Sequence, residues 1–75
     1  MKIYEFLILD EESRYQIVFD KGVHIALYSS SKYIYHLYAL DNFYVEILYD
    51  PITLMITGHL PFKHGIHLEK YLPDK

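Results

Sequence analysis

Between Val23 and Leu60 the chain falls into four short apolar runs, Val23 to Tyr28, Lys32 to Leu40, Phe43 to Tyr49 and Leu54 to Leu60, each bounded by turn-forming residues. The breaks are Ser29-Ser30-Ser31, Asp41-Asn42 and Asp50-Pro51. Aromatic and β-branched residues recurring at period two between such breaks predict consecutive hairpins, and therefore a four-stranded antiparallel meander. Pro51 suits the second position of a type I turn begun by Asp50. The Asp41-Asn42 break is expected to form a three-residue loop with Leu40, with Asn42 taking the positive φ that such a loop needs.

Ahead of the strands the period is helical. Asp10 is a good N-cap, Glu11 and Glu12 stand in the first turn, and Tyr15, Val18 and Phe19 form one apolar stripe. Lys21 falls in the last turn and Gly22 at the C′ position, where a left-handed residue is favoured, so a helix is expected over Glu11 to Lys21. Residues 2 to 8 read either as a short helical turn or as an extra edge strand. The tail is expected to break at Pro61 and Gly65 and to offer Ile66, Leu68 and Leu72 on a short helix or turn before Pro73. The expected architecture is thus α+β: an N-terminal helix packed on a four-stranded antiparallel β-meander, with a short C-terminal helix or turn, in one domain over residues 1 to 75.

Composition narrows the classes of function. The 75 residues hold 10 acids against 7 Lys and Arg and include no cysteine, which removes disulfides, thiolate nucleophiles and cysteine-rich zinc sites. A net charge of −3 with scattered basic residues argues against a nucleic-acid backbone as partner. The start MKIYEFLIL carries Glu5 inside its apolar stretch and acids after it, so it does not read as a signal peptide. No apolar run is long enough to span a membrane, and the compartment expected is the cytoplasm. Among the 52% hydrophobic residues, nine are tyrosine. Tyrosine joins a large apolar body to a hydroxyl that needs a partner, which suits half-buried faces and interfaces.

Alternation assigns these tyrosines to faces. Phe43, Val45, Ile47 and Tyr49 share one side of their strand, and Tyr44, Glu46 and Leu48 share the other. With a three-residue loop, Tyr35, Leu37 and Ala39 join the core side, as do Val23, Ile25 and Leu27. The opposite face then gathers His24, Tyr28, Ile34, His36, Tyr38, Tyr44, Glu46 and Leu48. Glu46 marks that face as the wetter one. It is expected either to be covered by a terminal segment or to meet a partner, a second copy or another protein.

Chemistry-bearing residues form no strong motif. His59, His64 and His67 cluster near the C-terminus, with Glu69 nearby, but surface or turn histidines account for them better than a metal site, and no metal or other cofactor is expected. His24 and His36 are expected to be cross-strand neighbours near Glu46, a constellation that would suit a proton shuttle but has no nucleophile beside it. Asp10, Glu11 and Glu12 read as a helix start. The three glycines are too far apart for a phosphate loop.

The stretch Leu37-Tyr38-Ala39-Leu40-Asp41-Asn42-Phe43-Tyr44-Val45-Glu46 follows Phe19-Asp20-Lys21-Gly22-Val23 and precedes Phe62, Gly65, Leu68, Lys70 and Tyr71. On these residues the chain, from about Leu9 to Tyr71, resembles a group of small uncharacterised bacterial proteins. Their motif is a Leu-Tyr-x-Leu-Asp-x-Phe-Phe/Tyr-Val-Glu strand pair after a helix that ends in Lys-Gly-Val. The resemblance implies a helical N-terminal region and supplies no activity. His36 and Leu48 depart from the group, which favours charged or amide residues there.

The function expected is a non-enzymatic protein–protein interaction module, self-associating as a homodimer through the Tyr/His-rich sheet face. The alternatives are a small acidic inhibitor, immunity protein or antitoxin that masks a basic partner, and a histidine-dependent hydrolase built on His24, His36 and Glu46.

Overall fold

The computed structural model describes residues 1–72, and of Ile66 and His67 the backbone alone. Two helices, α1 (Ile3–Leu7) and α2 (Glu11–Lys21), precede four strands, β1 (Val23–Ser29), β2 (Ile34–Leu40), β3 (Phe43–Tyr49) and β4 (Ile56–Phe62). A 3-10 helix, Ile66–Tyr71, follows. The strands form one antiparallel sheet in chain order, so the meander and the α+β class are as expected from the sequence.

Local chemistry explains the helices. The Asp10 carboxylate accepts from the Ser13 N–H at 2.9 Å and caps α2, and Glu5 accepts from the Lys2 N–H at 2.7 Å at the start of α1. Residues 2 to 8 therefore enter the fold as a helical turn rather than a strand. Arg14 ties the helices together: its guanidinium donates to the carbonyls of Leu7 and Leu9, where α1 has run out of intrahelical donors, and lies 5.8 Å from the centre of the Phe6 ring.

Gly22 ends α2 in an extended conformation, with φ −71° and ψ 149°, and not in the left-handed one. Glycine is required for a steric reason: a Cβ would stand 2.5 Å from the carbonyl oxygen of Val18, to which the Gly22 N–H is hydrogen-bonded.

The hairpin between β2 and β3 differs from expectation in a way that spreads through the sheet. Its loop has two residues, with Leu40 opposite Phe43, and Asp41 rather than Asn42 takes the positive φ, 57°. One residue fewer in the loop shifts β2 by one position and turns every side chain of that strand over. Ile34, His36, Tyr38 and Leu40 therefore share the helix-facing side with Phe43, Val45, Ile47 and Tyr49, whereas Tyr35, Leu37 and Ala39 share the other with Tyr44, Glu46 and Leu48.

The main core lies between helices and sheet. Phe6 and Val18 pack on Leu40, Phe43, Val45 and Ile47, with Phe6 edge-on to Phe43 at 5.5 Å. Val23, Ile25 and Leu27 do not join this core. They lie 63%, 48% and 57% exposed on β1, an edge strand, and a bulge between His24 and Ala26 turns Val23 to the face opposite Leu27. Phe19, at the edge of the helical stripe, is also largely exposed.

β2 begins at Ile34, two residues after the expected Lys32, because Ser30 accepts from the N–H groups of Lys32 and Tyr33 and holds them in the turn. β4 begins two residues late as well. Asp50 draws the N–H groups of Ile52 and Thr53 onto its carboxylate, and Leu54 takes a positive φ of 61°, so the loop extends to Met55. Pro61, expected to break the chain, is paired with Val45 in β4, an edge strand where a missing N–H is tolerated. The expectation for Pro73 lies outside the described residues.

Candidate interaction surfaces

The eight residues expected on one face are divided between two. His24, Ile34, His36 and Tyr38 lie on the helix-facing side, and Tyr28, Tyr44, Glu46 and Leu48 lie on the opposite side. Two features are the physical reason: the shorter loop turns β2 over, and a β-bulge in β1 between His24 and Ala26 breaks the alternation that would have kept His24 and Tyr28 on one face.

On the helix side His24 and His36 are cross-strand neighbours as expected. His24 Nε2 and His36 Nδ1 are 2.9 Å apart, with one nitrogen carrying the proton and donating to the other. Aromatic rings wall the pair: Tyr38 is edge-on to His24 at 5.2 Å and Tyr49 edge-on to His36 at 5.0 Å. Burial, and then the facing His24, hold the His36 pKa below the usual imidazole value. Phe19 continues the aromatic line to Tyr38 at 5.9 Å.

Glu46 lies on the other face and is 1% exposed, so it marks a buried site rather than a wet one. Its Oε2 accepts from the Tyr71 hydroxyl at 2.6 Å and pairs with Lys70 Nζ at 2.7 Å. Lys70 in turn sits 4.0 Å from the centre of the Tyr35 ring, and Tyr71 is edge-on to Tyr28. The C-terminal 3-10 helix thus covers the middle of this face, one of the two outcomes expected for it. The trio His24, His36 and Glu46 is separated by the sheet itself, which removes the constellation on which the hydrolase alternative stood.

His59 is spent within the fold. It lies on the helix side of β4, where its Nδ1 shares a 3.2 Å hydrogen bond with the Tyr15 hydroxyl and its Nε2 is 3.4 Å from the Arg14 guanidinium. Burial, and then the Arg14 charge, lower its pKa, partly opposed by Glu11. His64 is exposed in the turn after β4, and the His67 side chain lies outside the described residues. Among the described residues no group of three or more His, Asp or Glu side chains is gathered to hold a metal ion. No helix among them is long and apolar enough to cross a membrane.

Two features escaped sequence reasoning. The Lys70 and Tyr71 contacts were signalled by Glu46 itself: a carboxylate in an otherwise uncharged strand needs a cation and a donor if its face is covered. The exposure of β1 was hidden because an apolar strand reads the same at an edge as at the centre of a sheet.

Comparison with protein-family models, curated proteins and solved structures finds no match.

Proposed function

We propose that this chain is a protein–protein interaction module, working in the cytoplasm, that pairs with a second copy of itself through the outer edge of β1. The carrying observation is the character of that edge. Val23–Ser29 contains no charged residue and no proline, and three of its aliphatic side chains are about half exposed or more. Soluble proteins guard such edges with Lys, Pro, bulges, inward charges or a covering segment, because their unpaired N–H and C=O groups invite another strand. β1 has a bulge between His24 and Ala26, and from Ala26 to Ser29 its pairing is regular. The far edge, β4, does carry proline.

A second copy suits the charge pattern. Two chains of net charge −3 repel in general, but antiparallel pairing of β1 with β1 brings no acidic, lysine or arginine side chains together and extends the sheet to about eight strands. The inhibitor alternative needs acids at the docking surface. β1 has none, and Asp10 of the acidic cluster is engaged in capping α2.

Light scattering coupled to size exclusion tests the reading. The wild-type protein is expected to run as a dimer at high micromolar concentration and Leu27→Lys as a folded monomer. A monomeric wild type overturns self-association, and a dimer untouched by Leu27→Lys overturns β1 as its site.

A further inference from the structure

The His24 and His36 imidazoles are close enough for one ion to take the place of the proton they share. Two imidazole nitrogens, each about 2.0 Å from a shared transition-metal ion, subtend a metal angle set by their separation. At the observed 2.9 Å that angle is about 90°. Imidazole sites bind Cu²⁺ and Ni²⁺ more strongly than the earlier divalent first-row ions, and both accept neighbouring nitrogens at about that angle.

We propose that His24 Nε2 and His36 Nδ1 form a two-histidine site for Cu²⁺ or Ni²⁺, with water completing the coordination. Both residues sit on paired strands, so their backbones are fixed by the sheet ladder; the two nitrogens face each other across the hydrogen bond, and binding an ion requires each ring to turn its lone pair off that line. His24 is exposed, which leaves an open side for the ion and its waters. The Tyr38 and Tyr49 rings wall the site without occupying a nitrogen of either histidine. Neutral imidazole is the ligating form. The site lies within one chain and does not depend on pairing through β1.

The test is titration of the tag-free protein with Cu²⁺ and Ni²⁺ by calorimetry, with electron paramagnetic resonance of the Cu²⁺ form. The expected result is one ion per chain in wild type, a nitrogen hyperfine pattern from two imidazoles, and about tenfold or greater weakening in either His24→Ala or His36→Ala as the chelate is lost. His64→Ala serves as a control and is expected to bind as wild type does. Absence of binding in wild type, or binding unchanged in both His24→Ala and His36→Ala, overturns the proposal. Circular dichroism of each variant establishes that loss of binding is not loss of fold.

Discussion

The Tyr71 hydroxyl donates a 2.6 Å hydrogen bond to Oε2 of Glu46, joining the C-terminal 3-10 helix to the middle of β3. Lys70 reaches the same oxygen, so one buried carboxylate anchors two consecutive residues of the tail. This contact covers a sheet face that would otherwise expose Leu37 and more of the Tyr28 and Tyr35 rings.

Removing the carboxylate is expected to loosen the tail before it unfolds the domain. Glu46→Ala leaves Lys70 and Tyr71 without their acceptor and is expected to cost about 2 kcal/mol in urea unfolding. Glu46→Gln, whose amide oxygen still accepts from Tyr71, is expected to cost less. Amide exchange at Leu68 and Leu72 is expected to accelerate more than exchange in β2 and β3.

Stability is expected to fall in alkali, with Tyr71 as a main cause. Burial, and then the hydrogen bond to Glu46, raise its pKa above the ordinary 10.0, so the folded state holds the phenolic proton more tightly than the unfolded state does. The stabilisation is complete below about pH 10 and is lost as pH rises toward the folded value. Burial raises Tyr15 and Tyr49 in the same direction. Tyr71→Phe is expected to be weaker by about 1 kcal/mol at neutral pH, allowing for the partial exposure of the ring. Denaturant midpoints from pH 8 to 11 are expected to show a shallower decline for this variant than for wild type.

At the acid end His59 works in the opposite sense. Its pKa is lowered in the fold, chiefly by burial, so the unfolded chain takes up a proton more readily. The contribution is present above the unfolded value, about pH 6.5, and is lost as pH falls below it. His59→Gln, with no ionisable group, is expected to flatten thermal stability between pH 7 and 5. An unchanged slope counts against this assignment.

Phe6 should be the most costly aromatic to lose. It is fully buried against Phe43 and is the one buried residue of α1, so Phe6→Ala is expected to cost about 3–4 kcal/mol. That is a large part of the roughly 4–11 kcal/mol a domain of 75 residues holds. Phe19→Ala, at an exposed position, is expected to cost under about 1 kcal/mol. Chemical denaturation of both variants provides the comparison.

The three glycines should respond differently to alanine. At Gly22 the new Cβ would meet the Val18 carbonyl oxygen at 2.5 Å, and overpacking is expected to cost about 1–3 kcal/mol. At Gly65, with φ +112°, the cost is backbone strain of about 1–2 kcal/mol despite open space. At Gly58 nothing lies within 4 Å, and alanine is expected to be neutral or slightly stabilising. Melting temperatures of the three variants give the ranking.

The sequence by itself determined the parts of this protein that are written locally. Asp10, the acids after it and the Tyr15–Val18 spacing specified α2, and period-two runs between turn residues specified four strands in meander order. The face of β3 that carries Phe43, Val45 and Ile47 was also legible, because each of those residues is apolar and Glu46 is not. The face of β2 was not, because Ile34 to Leu40 has large half-polar side chains on both sides and its pattern accepts either register. Only the two-residue loop with Asp41 at positive φ decided it, and with it the separation of His36 from Glu46, while the bulge in β1 put His24 on the side of His36. Tertiary structure also decided that β1 is an open edge and that Lys70 and Tyr71 close on Glu46. Both depend on which surfaces the helices and tail cover, a competition for buried area across distant parts of the chain that local residue patterns do not encode.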